Sequence, residues 1–467
     1  MSENNGQVLE AFVGLQWGDE GKGKIIGGRI EHINSLNDNK RTVVIRYQGA
    51  DNAGHSSFVR DSTGNLIKFV THAAPSGLPY NKDVAIAAHV ALNPISFINE
   101  VNEARKLFNF NARILISERT SMIFDYHRKL DAWRENSNDS GNKVGSTKRG
   151  VGPVYEDRAR RTTSINFEDY ISNEFPDILR KVINRKKPEL ELAGIIIGRN
   201  NYFEELLDIH EPIRKELAQY TERLEYRLRD YLNNGDHILI EGAQGTGLDV
   251  DQGTIPYTTS SHLLSHSAFA ATGLPRRKFK VYGVEKLYPT RVGSGIMPTF
   301  DFGDFGTKVG KNAGEIGAST GRKRDVGYPD LVFLKHSAMI NDCDGIITTR
   351  VDNVQDMEIK VCTGYDYKGN LTDEVPLDLR NVKPVYDKKR FIWHLWEGPG
   401  DLSDPLKVDA ALRQHRQKYV KEGFYSLPSN CKDYFAFKDN FVGVPTVGIS
   451  IGPESGEIIN LIDKFGY

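Results

Sequence analysis

The chain has 467 residues, 39% of them hydrophobic and 26% charged, the profile of a folded globular enzyme and not of a disordered or fibrous chain. Its formal net charge is −1, so no global positive field draws it to nucleic acid or to an anionic membrane, and phosphate binding must rest on local sites. Cys343, Cys362 and Cys431 are far apart and follow no CxxC spacing, which predicts reduced structural thiols. The polar, acidic start Met1-Ser2-Glu3-Asn4-Asn5 does not suit a targeting peptide, and no apolar run is long enough for a bilayer. We therefore expect a cytosolic protein that engages neither nucleic acid nor membrane.

Short apolar runs alternate with helix-like stretches, which predicts an α/β fold. Strands are expected at Val8–Leu15, Thr42–Tyr47, Asp83–Ala87, Ala112–Ser117, His237–Glu241, Lys280–Glu285, Gly345–Thr349 and Thr446–Ile451. Several end in glycine-containing or polar loops, where ligands of open parallel sheets sit. Between Tyr202 and Leu232, Leu206, Leu207, Ile213, Leu217, Leu224 and Leu228 recur at helical spacing, with Pro212 expected to split the stretch into two helices. No linker divides the chain, so residues 1–467 read as one domain with a smaller peripheral subdomain at about 376–438.

The strongest local feature follows the first strand. Gly18 to Lys24 fits the GxxxxGK spacing of a phosphate-cradling loop, in which glycines let backbone N–H groups curl around phosphate and lysine adds charge. Ile25 stands where a Ser or Thr would hold Mg²⁺, so Asp19 becomes the candidate metal ligand. After the second strand, His55 near a glycine turn is a candidate general acid. Arg149, Arg158, Arg160 and Arg161, with nearby hydroxyls and glycines, suit a phosphate monoester. Gln244 and the hydroxyls Thr258 to Ser261 can read a purine edge or a phosphate. Ser319, Thr320, Arg322 and Arg324 are arranged for carboxylate capture. Thr349-Arg350-Val351-Asp352 is similar to the guanine-reading NKxD pattern, where the carboxylate accepts from guanine N1–H and N2–H and a flat cation stacks on the ring.

These motifs, with NAGH at 52–55, GPVYEDRARR at 152–161, EGAQGT at 241–246, PYTTSS at 256–261, TRVG at 290–293 and SIGPE at 450–454, resemble the signatures of the adenylosuccinate synthetase family in order and spacing. The resemblance implies a P-loop-like large α/β domain with a mostly parallel central sheet and smaller attached subdomains. It implies GTP-dependent ligation of L-aspartate to C6 of IMP through a 6-phosphoryl intermediate. Asp19 would be the base at purine N1 and His55 the acid that assists phosphoryl transfer. Glu20, Gly21, Lys22, Gly23 and Lys24 would lie under the GTP phosphates, and Arg350, Asp352, Ser450 and Gly452 would form the guanine pocket. Asn52, Thr147, Gln244 and Thr259 would hold the nucleotide substrate. Arg161 would reach across a homodimer to the neighbour's nucleotide phosphate. Ser319, Thr320, Arg322 and Arg324 would bind aspartate, and Mg²⁺ would sit on the Asp19 carboxylate and the Gly54 carbonyl.

The sequence departs from the family at Lys148, at 262–266 (His262-Leu263-Leu264-Ser265-His266), at Arg350 in place of the guanine-stacking lysine, and in a longer stretch between Pro384 and Leu427. The first two flank the expected nucleotide pocket, which keeps another purine nucleotide such as dGMP as an alternative substrate for the same chemistry. A non-catalytic GTP-binding regulator is a third reading. Asp19, His55, Arg161 and Arg322 together argue against it, because a bare GTP switch needs no carboxylate clamp.

Overall fold

The computed structural model describes residues 6–137, 143–196, 201–315, 324–396 and 410–462. Its frame is an 11-stranded sheet. In chain order its main path comprises β1 (Leu9–Gly14), β2 (Thr42–Gly49), β3 (Asp83–Leu92), β4 (Ile114–Ser117), β5 (Thr221–Glu222), β6 (His237–Glu241), β7 (Lys280–Lys286), β8 (Gly345–Thr349), β9 (Thr446–Ser450) and β10 (Ile458–Asn460). Across the sheet the order is β10-β9-β8-β7-β1-β6-β2-β3-β4-β5, and Ser121–Met122 pairs with β3 off this path. Pairing is parallel except between β9 and β10.

The central strands are buried on both faces, which is why they read as near-continuous apolar runs. Side chains alternate between two cores as strand geometry requires. Val43, Ile45, Ile238 and Ile240 enter one cluster. Val44, Leu239, Phe12 and Val284 enter another, beneath Ile25, Ile26 and Ile30 of the helix Lys22–Ser35. Burying such side chains contributes roughly 1.5–3 kcal/mol each, so the position of this helix is set by its apolar face, and its N-terminus is left at the carboxyl edge of the sheet.

The predicted split at Pro212 is not where the helix breaks. The helix Tyr202–Leu217 runs through Pro212, and the next begins at Leu224. Pro212 lies on the exposed side, where water can satisfy the freed carbonyl. The break falls instead at 218–223, where Thr221–Glu222 extends to pair with β4. Three small antiparallel sheets among the described residues had no predicted counterpart: the hairpin His55–Arg60/Leu66–Thr71, the pair Thr290–Arg291/Asp325–Val326, and the sheet of Cys362–Tyr367, Asn370–Thr372 and Val382–Tyr386. Phe391, Trp393, Trp396 and Tyr434, from the 376–438 stretch, bury in the same apolar cluster as one face of the central sheet.

Candidate active site

The loops at the carboxyl ends of β1, β2, β6, β7, β8 and β9 converge on one cavity of about 690 Å³. This is where an open parallel sheet places its ligands, and the volume suits nucleotide-sized molecules. Asp19 and Glu20 to Lys24 line it after β1. Asn52, Gly54 and His55 line it after β2, Gln244 and Thr259 after β6, and Arg350, Ser450 and Gly452 after β8 and β9. Thr147 and Arg324 complete the predicted residues on its wall.

The phosphate loop is tightly braced. Gly18, Asp19 and Gly21 adopt left-handed backbone (φ 92°, 61° and 90°), which turns the chain sharply into the helix Lys22–Ser35. Gly23 permits a close approach, since a Cβ there would stand 2.9 Å from the His55 Cβ. The Glu20 side chain turns inward: Oε1 accepts from the backbone N–H groups of Gln16 (3.2 Å) and Gly18 (2.8 Å), and Oε2 pairs with Lys22 Nζ at 2.6 Å. The part of Glu20 left for a phosphate is therefore its backbone, not its carboxylate. Lys24 Nζ donates to Ser450 Oγ at 2.6 Å, to the Glu457 carbonyl at 3.0 Å and to the Gly452 carbonyl. Burial lowers its pKa to about 8, against the opposing pull of Glu457.

Two charged networks fix the chemistry-bearing side chains. In the first, His55 Nδ1 hydrogen-bonds the fully buried Glu241 carboxylate. Glu241 also accepts from Ser76 N (2.8 Å) and Ser76 Oγ (2.6 Å), and Arg46 lies 4.0 Å away. Burial pushes the Glu241 carboxyl up, yet the charges of His55 and Arg46 hold it at about 2. Burial pushes the His55 imidazole below its usual value, opposed by Glu241. With Glu241 anionic, the proton of the neutral ring sits on Nδ1, which leaves Nε2 as the nitrogen available to a ligand.

In the second network, Asp19 Oδ2 accepts from Arg324 Nε at 2.7 Å, and Arg324 Nη1 pairs with buried Glu315. Glu315 in turn meets Lys286 Nζ at 3.1 Å and the Tyr288 hydroxyl at 2.8 Å. Burial pushes Glu315 up, but Lys286 and Arg324 hold it well below the usual carboxylate range. Arg324, expected to bind aspartate, thus also aims Asp19.

Gln244, itself at a left-handed φ of 53°, donates through Nε2 to Asn52 Oδ1 at 2.9 Å, while its Oε1 is buried without a partner among the described residues. A buried acceptor left unpaired in this way suits an N–H donor. The loop that carries Thr147 is pinned by Asp131, which accepts from Ser146 Oγ (2.6 Å) and Gly150 N (2.9 Å). Asp352 is buried and is not among the residues that line the cavity, whereas Arg350, two residues before it, is. Arg161, in left-handed backbone, is exposed on the outside of this site. Ser319, Thr320 and Arg322 lie outside the described residues.

Neither Lys148 nor any residue from His262 to His266 lines the cavity. Lys148 Nζ donates outward to Asn136 Oδ1 at 2.8 Å, and His262 is exposed against Asp251 at 3.0 Å. Sequence reasoning missed Arg46, Glu241, Lys286 and Glu315. For Arg46, Glu241 and Lys286 the available signal was a charged residue inside an otherwise apolar strand, which is costly to bury unless paired; Glu315, in a loop, carried none. Arg46 and Glu241 are in fact register partners across β2 and β6.

A family model for adenylosuccinate synthetase matches residues 11–459. An adenylosuccinate synthetase of Geotalea uraniireducens is 36% identical over 460 residues, which span 97% of this chain and 98% of the relative. The fully ligated adenylosuccinate synthetase from Plasmodium falciparum superposes with a TM-score of 0.82 at 27% identity, covering 97% of this chain and 99% of that one. Cyanophage S-2L succinoaminodeoxyadenylate synthetase, bound to dGMP and dATP, shares the fold at a TM-score of 0.57 and 14% identity, covering 97% and 95% of the two chains. With a match that spans nearly its whole length, the chain belongs to the adenylosuccinate synthetase family.

Proposed function

We propose that this cavity carries out the family reaction with the residues named above in the following roles. The reaction is the GTP-dependent ligation of L-aspartate to C6 of IMP, giving adenylosuccinate, GDP and phosphate. The observation that carries the assignment is the presence of Asp19, the His55–Glu241 pair and the Gln244–Asn52 pair on one cavity with the phosphate loop.

Asp19, aimed by Arg324, takes the proton from purine N1, so that negative charge builds on O6. O6 attacks the γ-phosphorus of GTP, and the β–γ bridging bond breaks to release GDP. His55 donates a hydrogen bond to the transferring group from Nε2, with its positive form stabilised by Glu241. The aspartate amine then attacks C6, the C6–O6 bond breaks, and phosphate leaves with O6. Asn52, Gln244, Thr147 and Thr259 hold the nucleotide in place, and positioning supplies a large part of the acceleration. Glu20 to Lys24 cradle the GTP phosphates, while Arg350, Asp352, Ser450 and Gly452 receive guanine. Ser319, Thr320, Arg322 and Arg324 bind aspartate.

The donor chemistry fits Mg²⁺. Asp19 offers a carboxylate and Gly54 a carbonyl, and no group of three or more His, Cys, Asp or Glu side chains suited to a metal occurs among the described residues. Such a pair suits a cation that completes its shell with water and phosphate oxygens. When bound, the ion would neutralise phosphate charge.

The exposed Arg161 supports a homodimer in which it serves the neighbouring site. The three cysteines, unpaired in this structure, support a cytosolic setting. No helix among the described residues is long and apolar enough to cross a membrane. Burial of the 376–438 aromatics against the sheet supports one domain in which that stretch is the peripheral part. IMP is favoured over dGMP because Asp19 is retained on the cavity wall, while neither Lys148 nor His262 to His266 lines it. The test offers IMP and dGMP in separate tubes with Mg²⁺, GTP and aspartate, read by mass spectrometry. An aspartate adduct with IMP is expected; an adduct with dGMP alone would reassign the substrate. GTP turnover insensitive to aspartate and nucleotide would favour a regulator.

A further inference from the structure

The stretch between Pro384 and Leu427 contributes the helix Ala410–Glu422. This helix sends one side chain to the expected guanine pocket. Arg416, only 2% exposed, donates from Nη2 to Asp352 Oδ2 at 3.1 Å, and its Nη1 lies 3.5 Å from Glu457 Oε1. Its guanidinium carbon stands 5.6 Å from the centroid of the Trp396 ring. Glu457 is anchored in turn by the Glu454 amide at 2.8 Å, and Arg413 on the same helix holds Glu454 at 3.4 Å. Asp352, proposed above to read the base, is therefore fixed by a buried, multiply held guanidinium.

This arrangement has a direct consequence for recognition. Guanine presents two N–H groups in a plane, and a carboxylate reads them only if its own plane is fixed. A carboxylate has about four acceptor positions, so one bond from Arg416 orients Asp352 and leaves acceptor positions for the base. We infer that Arg416 is a positioning residue for the base of the triphosphate donor, holding Asp352 in the orientation that favours GTP over ATP. The inference rests on the proposed reading of Asp352 as the guanine acceptor.

The test measures Michaelis constants for GTP, ATP, IMP and aspartate in the full-length wild type, Arg416→Gln, Arg416→Lys, Asp352→Asn and the double variant Arg416→Gln/Asp352→Asn. Loss of a hydrogen bond to a charged group predicts that Arg416→Gln raises KM for GTP by about 10-fold or more. The preference for GTP over ATP in kcat/KM should fall by a similar factor, with KM for IMP and aspartate within about twofold. Arg416→Lys, which keeps the buried charge and guards against a failure to fold, should show a smaller rise confined to GTP. The double variant should be little worse than Asp352→Asn alone, because the two residues act as one unit. Equal rises for all substrates, or a lower kcat with KM for GTP unchanged, would give Arg416 a structural role only and overturn the inference. A response to Asp352→Asn without one to Arg416→Gln would keep the base reader and remove Arg416. No response to Asp352→Asn would remove the reading of Asp352 and the inference with it.

Discussion

Replacing Glu241 with Gln removes one negative charge from beside His55 and leaves the shape of the site nearly unchanged. The carboxyl is held at about 2, below its ordinary value, by the attraction of its neighbours against the push of burial. Most of that attraction comes from His55 and Arg46, so its loss falls on the positive imidazole that the transfer step uses. A hydrogen bond to a charged group contributes about 1.5–3 kcal/mol, which carried into the barrier is roughly a 10- to 100-fold loss in kcat. Steady-state assays with varied IMP, GTP and aspartate should show this fall with KM values changed by less than about threefold. The sign of the pH effect is also fixed. Without Glu241 the imidazolium loses its proton more easily, so the limb on which activity is lost with rising pH should move to lower pH. A circular dichroism melt separates this from unfolding, because Arg46 is left beside a neutral amide and some stability is lost. A variant that stays folded and keeps kcat within about threefold of wild type would refute the pairing of His55 and Glu241 as a functional unit.

Three further outcomes are expected. Asp19→Asn keeps the shape but cannot take a proton, so ligation in a mass-spectrometric assay should fall by about 1000-fold or more; near-normal turnover would remove Asp19 from the mechanism. Arg322→Leu should raise KM for aspartate by about 10-fold or more while KM for GTP changes little, since a two-bond carboxylate contact is lost; equal effects would reassign the clamp. Lys24 titrates at about 8 in the free protein, and contact with phosphate would raise that value. The complex then binds more protons than the free enzyme, so KM for GTP should increase as pH rises above about 8; a flat profile from pH 7 to about 10 would place Lys24 away from the phosphates.

Much of the central sheet was legible because its strands are buried on both faces. Runs such as Val43-Val44-Ile45 and Ile238-Leu239-Ile240 have no other stable home. The residues 55–60 and 66–71 were illegible as a hairpin because their residue types, His-Ser-Ser-Phe-Val-Arg and Leu-Ile-Lys-Phe-Val-Thr, do not alternate apolar with polar, although burial along 55–60 does alternate. Thr221–Glu222 is too short to carry a pattern and exists only through its pairing with β4. At the site, glycine-bearing loops announced themselves by composition, since left-handed turns and close approaches demand particular residues. The partners that aim those loops did not. Glu241 and Arg46 meet only because β2 and β6 pair in one register, and Glu315 reaches Lys286 and Arg324 only through tertiary folding. Arg416 lies still further from any motif, on a helix whose relation to Asp352 no local spacing encodes.

The most direct test of the account follows one oxygen atom. IMP labelled with oxygen-18 at O6 is incubated with the purified protein, Mg²⁺, GTP and aspartate, and the released phosphate is analysed by mass spectrometry. The account predicts one labelled oxygen per phosphate, formed in step with the aspartate adduct and GDP, because O6 leaves attached to the phosphorus it attacked. Unlabelled phosphate, or phosphate released without adduct, would contradict a ligase acting through O6 in this cavity.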